Sequence, residues 1–330
     1  MSAHFMIGID GGGTHLSGCL INRAGEVLAV VSHPPASFPQ WKERIGEPVA
    51  ELVRALQKRA GLSHDSVGIL GYCSTGIGRQ ADRELAERAL REKKLAEAVV
   101  VESDALAALT GAFGGGPGIV VIAGTGAICL GRTLTGEIIR VGGWGYLLGD
   151  EGSGFALAQS GLIAALKDWD GRGPQTALRQ IFEKHFNVTS IELILSSIYG
   201  GEYDRGKIAE LAPLVFEAAD KGDGVAKAIV ETAGRELGRL VGAAQKRGQW
   251  PSPIPLATIG NLFRRSDMLL PSFWEVLSTE DFHWMPPQFE PMVGAALLAM
   301  LANGMKLDED FLKQLNRAWQ EKVVRLGLMN

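Results

Sequence analysis

The chain has 330 residues, 46% of them hydrophobic, which suffices for a large core and excludes a disordered or fibrous protein. Its 33 Lys+Arg against 37 Asp+Glu give a formal net charge of −4 without a basic block, so we expect no nucleic-acid partner. No apolar run approaches the roughly 18 residues of a membrane span, and no signal-peptide pattern begins the sequence, so we expect a cytoplasmic protein with no membrane partner.

Glycine is frequent and unevenly placed. The chain holds 43 glycines, and twenty of them fall within residues 8–18 and 111–154. Average usage is about 7%, roughly half of the usage here. This concentration indicates loops in which the backbone bends sharply or approaches a ligand closely.

The first part of the chain alternates between apolar strands and amphipathic helices. The patterns predict strands near residues 5–9, 16–21, 26–31, 67–72 and 98–101, and helices near 46–60, 79–95 and 105–113. A strand hairpin followed by such alternation is typical of an α/β layer with parallel strands.

The same pattern begins again in the second part of the chain. Strands are predicted near 119–123, 128–132, 138–141, 254–259 and 282–285, with mostly helical sequence beyond residue 153 and a last helix near 307–325. Gly13-Thr14 and Gly25-Glu26 recur as Gly124-Thr125 and Gly136-Glu137, both displaced by 111 residues. The repeat predicts a duplicated domain core, with domains at 1–113 and 114–306 and a C-terminal helix, about 307–326, that packs back on the first.

The first glycine cluster indicates phosphate binding of an uncommon kind. The patterns GxxxxGK[ST], GxGxxG and GxSxG are absent, which excludes a P-loop, a dinucleotide fingerprint and a hydrolase nucleophile elbow. The first strand instead leads into Asp10-Gly11-Gly12-Gly13-Thr14 and then into another strand, so turn amides and the Thr14 hydroxyl would hold phosphate. Asp10 would hold Mg²⁺, through water, since two anions repel. The alternative is a glycine-rich hairpin in which Asp10 bonds local amides.

Several motifs together resemble the N-acetylglucosamine kinase family, in the BadF/BadG/BcrA/BcrD group of the actin, hexokinase and Hsp70 ATPase superfamily. The most specific is Gly142-Gly143-Trp144-Gly145 followed by Leu148-Gly149-Asp150-Glu151-Gly152-Ser153-Gly154; the others are the loop at 10–14, the loop at 124–126 and Gly260-Asn261. The resemblance implies an α/β fold of duplicated ribonuclease H-like (actin-like ATPase) domains. Each would be a mixed five-stranded sheet with flanking helices, with a cleft between the domains and a helical insertion in the second.

The resemblance implies ATP as phosphoryl donor and assigns roles to both phosphate loops. Residues at these positions would bind ATP, namely Asp10, Gly11, Gly12, Gly13, Thr14, Gly124, Thr125, Gly126, Gly260 and Asn261. Asp104 matches the catalytic base, which takes the proton of the attacking sugar hydroxyl. Ser103 and Asp104 are also favourable residues for capping the helix that begins there, so a purely structural role is the alternative.

The resemblance also implies an amino-sugar site. Asp150 would accept hydrogen bonds from sugar hydroxyls, with Gly143, Trp144 and Gly145 beside the ring and Thr75 within reach of the sugar. Asp150 beginning a helix and Thr75 bonding its own turn are the structural alternatives. Ser37 stands where the family has a sugar-contacting Asn. Glucosamine, N-acetylglucosamine and N-acetylmuramic acid all stay open, with phosphorylation expected at the 6-hydroxyl by a homodimeric enzyme.

Two other functions compete with an amino-sugar kinase. One is a BadF-type activator ATPase for a partner dehydratase or reductase, because the segment 74–79 is similar to part of those activators. Such activators need cysteine ligands for an iron–sulfur cluster, whereas Cys19, Cys73 and Cys129 occupy strand-like positions. The other is a nucleotide or sugar sensor without catalysis.

Overall fold

A computed structural model describes residues 5–12, 15–62 and 67–326. Ten strands are described: β1 Phe5–Gly11, β2 Leu16–Asn22, β3 Val27–His33, β4 Val67–Ser74, β5 Ala98–Ser103, β6 Gly118–Ala123, β7 Ala127–Arg132, β8 Ile138–Gly142, β9 Ile254–Ile259 and β10 Phe282–Trp284. The α-helices are α1 Phe38–Trp41, α2 Gly46–Ala60, α3 Gln80–Glu92, α4 Asp104–Ala112, α5 Gly154–Trp169, α6 Ala177–Phe186, α7 Ile194–Tyr199, α8 Arg205–Ala209, α9 Ala212–Asp220, α10 Gly224–Gln245, α11 Ser266–Trp274, α12 Pro291–Ala302 and α13 Glu309–Leu326. Within these described ranges, no helix combines the length and the apolar character needed to span a bilayer.

The chain divides into two compact units. The first comprises Met1–Pro117 and Pro286–Asn330, and the second is the continuous stretch Gly118–Met285. The sequence predicts residues 286–306 in the second domain, whereas the structure groups them with the first unit. The reason is that α12 packs on β1 and α4 of the first unit.

The first unit is built on a five-stranded sheet of order β3-β2-β1-β4-β5. Strand β2 pairs antiparallel with both β1 and β3, whereas β4 pairs parallel with both β1 and β5. The carboxyl ends of these three parallel strands therefore lie along one edge, where ligands bind in open α/β sheets.

The second unit repeats this arrangement with a sheet of order β10-β9-β6-β7-β8. Strands β6, β7 and β8 form the antiparallel part, and β6, β9 and β10 are parallel. The predicted fold, with two mixed five-stranded sheets and flanking helices, is confirmed. Helices α5 to α10 form the predicted helical insertion between β8 and β9.

Small residues bring α12 against the first sheet. A Cβ atom at Gly8 of β1 would overlap the carbonyl oxygen of Met292, and one at Gly294 of α12 would overlap that of Ala107 in α4. Gly111 of α4 is also tightly packed, because a Cβ atom there would lie 2.8 Å from the carbonyl oxygen of Phe289. Glycine at these positions allows the backbones to meet directly, which explains why α12 completes the first unit although it comes after the second in the chain.

Candidate active site

Three polar side chains of the first unit lie where its parallel strands end. Asp10 is near the end of β1, Thr75 follows β4, and Asp104 follows β5. Parallel register joins these ends, since Gly11 pairs with Ser74 and Ser74 pairs with Ser103. The fold thus brings together a predicted phosphate residue, a predicted sugar residue and the predicted base.

Asp104 is the first residue of α4 and is not its capping residue. Ser103 takes that role, since its Oγ accepts the backbone N–H of Leu106 at 3.3 Å. The Asp104 carboxylate accepts the adjacent backbone N–H of Ala105 at 2.8 Å. Burial raises the pKa of Asp104, while hydrogen bonds from the Ala105 backbone and the Thr75 side chain partly offset that rise. A buried carboxyl with a raised pKa, placed beside a hydroxyl, has the properties of a general base.

Asp10 is a second buried carboxylate at the same edge. Burial, and then the charge of Asp104, raise the pKa of Asp10 to about 7. A carboxylate whose pKa is raised by burial and by a neighbouring carboxylate gains from a cation beside it. Oxygen donors of this kind suit Mg²⁺, which keeps most of its waters and takes one or two protein carboxylates. No cluster of three or more potential metal ligands occurs among the described residues.

The hydroxyl groups of Ser74 and Tyr72 lie against Gly11 in the predicted phosphate loop. Ser74 Oγ donates to the carbonyl oxygen of Gly11 at 2.7 Å and accepts the N–H of Phe38 at 3.1 Å. A Cβ atom at Gly11 would lie 2.9 Å from both Ser74 Oγ and the Tyr72 hydroxyl. Sequence reasoning missed Ser74 and Tyr72, because they lie on an entirely buried strand that reads as core. Their proximity makes glycine necessary at position 11.

Other predicted residues of the first unit are less informative. Gly12 donates its N–H to the carbonyl oxygen of His15 at 3.0 Å, and Gly13 and Thr14 lie outside the described residues. Ser37 precedes α1 and its side chain makes no capping hydrogen bond. Its neighbour Phe38 joins this segment to Ser74, so Ser37 lies near the end of β4.

The predicted second phosphate loop lies at the carboxyl edge of the second sheet. Gly124, Thr125 and Gly126 connect β6 to β7, and the N-terminus of α5 fixes them because Gly154 N–H donates to the Gly124 carbonyl at 2.8 Å. Phe155 N–H likewise donates to the Thr125 carbonyl at 3.3 Å. The most specific motif of the sequence is therefore attached directly to this loop.

The predicted adenosine loop lies at the same edge. Gly260 follows β9 with φ of +111°, and a Cβ atom there would overlap the carbonyl oxygen of Ala123 at the end of β6. Only glycine tolerates both the conformation and the contact. Asn261 is exposed and begins a short 3₁₀ helix, Asn261–Arg265. The structure thus places Gly260-Asn261 beside the start of the 124–126 loop.

Asp150 is held in an unusual conformation and paired with an arginine. Its φ is +60°, a left-handed conformation that is uncommon for residues other than glycine, and the side chain is only 4% exposed. Arg205 Nη2 donates to Asp150 Oδ2 at 2.8 Å. Ser153, and not Asp150, caps α5 by accepting the N–H of Ala156 at 3.2 Å. Helix capping therefore does not account for Asp150.

Trp144 lies at the tip of the predicted substrate segment and is 65% exposed. The Arg140 guanidinium lies 4.9 Å from the centre of its ring, and Arg140 also donates to the carbonyl oxygens of Gly142 and Gly143. Gly143 and Gly145 have φ of +69° and +89°, so the turn needs both glycines. The segment presents an indole to solvent on a braced turn, which suits contact with a sugar ring.

The three cysteines lie inside the sheets, although Cys73 is one residue from the end of β4 and pairs with Asp10 of β1. Cys19, Cys73 and Cys129 are free and buried within β2, β4 and β7. Burial raises the pKa of all three thiols. They have the properties of core residues.

Comparison with known proteins agrees with the motifs. An N-acetylmuramic acid/N-acetylglucosamine kinase of Clostridium acetobutylicum is 32% identical over 83% of this chain and 90% of its own length. An N-acetyl-D-glucosamine kinase of Dictyostelium discoideum is also 32% identical, over 91% of this chain and 99% of its own. The solved structure of a proposed N-acetylglucosamine kinase from Chromobacterium violaceum has a TM-score of 0.76 at 28% identity, covering 91% of this chain and all of that one.

The match extends to a whole family. The model of the BadF/BadG/BcrA/BcrD ATPase family matches residues 7–299, which includes both predicted phosphate loops, Asp104, Asp150 and most of α12. The chain therefore belongs to the BadF/BadG/BcrA/BcrD ATPase family.

Proposed function

We propose that this protein is an ATP-dependent amino-sugar kinase with Asp104 as its general base. The observation that carries the proposal is Asp104 itself, a carboxylate with a raised pKa that hydrogen-bonds the Thr75 side chain and is not the capping residue of α4. Two relatives at 32% identity, named as kinases of N-acetylglucosamine or of N-acetylmuramic acid and N-acetylglucosamine, support the substrate class.

ATP would be held by the glycine loops described above, with the adenosine next to Gly260-Asn261. Mg²⁺, when bound, neutralises phosphate charge, which is a large part of what phosphoryl transfer requires. Asp10 is the residue that would hold the hydrated ion. The raised pKa of Asp10 supports this role, because a carboxylate that is desolvated and close to a second carboxylate gains from a bound cation.

The sugar would be bound by the second unit. Asp150 would accept hydrogen bonds from ring hydroxyls, and the exposed Trp144 indole would pack on the ring. Thr75, which hydrogen-bonds Asp104, would help to orient the acceptor hydroxyl. We propose the 6-hydroxyl as acceptor, as the resemblance to N-acetylglucosamine kinases implies.

A panel of amino sugars tests the function directly. Purified protein is incubated with ATP, Mg²⁺ and glucosamine, N-acetylglucosamine or N-acetylmuramic acid, with glucose as a comparison; ADP release is followed and the product is located by ³¹P and ¹³C NMR. We expect a 6-phosphorylated amino sugar, no turnover with excess EDTA, and greatly reduced turnover for Asp104→Asn. No phosphorylation of any sugar by the wild-type protein, or phosphorylation unaffected by Asp104→Asn, would contradict the proposal.

A further inference from the structure

Arg205 is a charged residue next to two predicted site features of the second unit, Asp150 and the loop 124–126. It is the first residue of α8, in the insertion between β8 and β9. Its Nη2 donates to Asp150 Oδ2 at 2.8 Å, and its guanidinium lies 5.7 Å from the ring centre of Tyr146. Its Nε is buried and has no hydrogen-bond partner among the described residues. A guanidinium has five N–H donors, so much of its capacity is not used by Asp150.

Arg205 also lies against the second phosphate loop. A Cβ atom at Gly126 would overlap Arg205 Nη2 and would lie 2.8 Å from Asp150 Oδ2. Glycine at position 126 therefore leaves room for the guanidinium in its observed position. A Cβ atom at Gly124, two residues away, would meet no atom within 4 Å. The loop is thus closely packed on the Arg205 side and open at Gly124.

Arg179 of the same unit provides a comparison, because it forms an ion pair away from the predicted site residues. Arg179 pairs with Asp168 at 3.7 Å, and the side chains are 35% and 9% exposed. Arg205 is similarly exposed at 39%, but it holds a shorter bond to a more buried partner. Its Nε has no partner in the part of the chain that the structure describes, and its Nη2 lies where a Cβ atom at position 126 would be. These differences point to a second anionic partner for Arg205.

We propose that Arg205 is a catalytic residue that binds the phosphoryl group during its transfer; this rests on the proposed kinase function. In the reaction the sugar hydroxyl oxygen forms a bond to the γ-phosphorus, the bond from that phosphorus to the β,γ-bridging oxygen breaks, ADP leaves and the hydroxyl proton passes to Asp104. The guanidinium binds the phosphoryl oxygens with donors that Asp150 does not use, while Asp150 accepts bonds from the sugar. It neutralises charge on the phosphoryl group as the bonds exchange.

Nucleotide binding provides a test that does not depend on turnover. Calorimetry with Mg²⁺ compares ADP with the non-hydrolysable triphosphate AMPPNP for the wild type, Arg205→Ala and the matched control Arg179→Ala. We expect the wild type and Arg179→Ala to bind AMPPNP at least ~10-fold more tightly than ADP, because the guanidinium contacts only the γ-phosphate. Arg205→Ala should lose this preference and keep the ADP affinity.

Kinetics then separate a phosphoryl role from a role in positioning Asp150. For Arg205→Ala we expect kcat with N-acetylglucosamine to fall roughly 10³-fold, as for other arginines that stabilise phosphoryl transfer. Arg205→Gln keeps a hydrogen-bond donor but not the charge, and we expect it to lose the same AMPPNP preference and the same kcat. This variant replaces Arg205→Ala in the test if Arg205→Ala does not fold.

Three results would overturn the proposal. One is an AMPPNP preference in Arg205→Gln equal to that of the wild type. Another is a rise in sugar KM with an unchanged kcat, which would make Arg205 a residue that only positions Asp150. The third is lost activity on N-acetylmuramic acid alone, which would assign Arg205 to the sugar's carboxylate. Failure of the proposed function itself is distinct, because the wild type would then phosphorylate no amino sugar while the nucleotide comparison stays measurable.

Discussion

The substitution Gly126→Ala tests the packing of the phosphate loop against the Asp150–Arg205 pair. The new Cβ atom would overlap Arg205 Nη2 and crowd Asp150 Oδ2 at 2.8 Å. Both neighbours are side-chain ends, so the guanidinium can move away, but its hydrogen bond to Asp150 is then lost. Asp150 is 4% exposed and would be left without a charged partner. Leaving a buried acceptor unsatisfied costs about 1–3 kcal/mol, and we expect the free energy of unfolding to fall by that amount.

Urea denaturation measures this change, and calorimetry measures the affinity for N-acetylglucosamine, which should weaken because Asp150 is no longer held in place. Gly124→Ala is the matched control, since the same methyl group on the same loop would meet no protein atom within 4 Å. We expect it to keep wild-type stability and to weaken ATP binding instead, because its methyl group would occupy the side on which phosphate is proposed to bind. Equal stability of the two variants, with unchanged sugar affinity in Gly126→Ala, would refute the reasoning.

Three further predictions concern the first unit. Asp104→Asn should lower turnover by ~10²–10⁴-fold while AMPPNP binding is retained, and unchanged turnover would remove Asp104 from the chemistry. The pKa of Asp10 is raised from 3.8 to about 7, so the folded state binds this proton more tightly than the unfolded state. The stabilisation that proton binding gives the folded state is complete below pH 3.8 and is lost as the pH rises through about 7. In metal-free buffer Asp10→Asn should therefore raise the unfolding temperature relative to the wild type at about pH 8 but not below about pH 4, and a pH-independent difference would contradict the assigned pKa. Gly294→Ala should destabilise the protein by about 1–3 kcal/mol in urea denaturation, because the new Cβ atom would overlap the Ala107 carbonyl oxygen. The control Gly78→Ala, whose Cβ atom would meet nothing within 4 Å, should keep wild-type stability. Equal stability of the two variants would show that α12 packs less closely on α4.

The strands and their duplication were predictable because strand hairpins and apolar runs are local patterns. The Gly-Thr pair that recurs after 111 residues indicates the duplication, and its second copy, Gly124-Thr125, follows the first strand of the second sheet. The sequence could not assign α12 to the first unit, since chain order suggests the nearer domain. That assignment depends on backbone approaches at Gly8 and Gly294 between segments far apart in the chain.

The candidate site was predictable where its residues belong to short motifs. Asp104 and Asp150 lie in recognisable strings, but only the geometry shows that Ser103 and Ser153, and not the two aspartates, are the capping residues of the adjacent helices. Arg205 belongs to no motif. It is 55 residues from Asp150 along the chain, and the contact depends on how the helical insertion folds.

The interrupted first unit determines an order of events during synthesis. Its sheet is complete once β5 has been made, but the face of β1 that α12 covers stays open until residues 291–302 emerge. At about 5–20 residues per second, translation of the continuous second unit takes roughly 10–30 s. The second unit is thus the first that can finish folding, and the apolar face of the earlier sheet is exposed to chaperones and to other nascent chains during that interval.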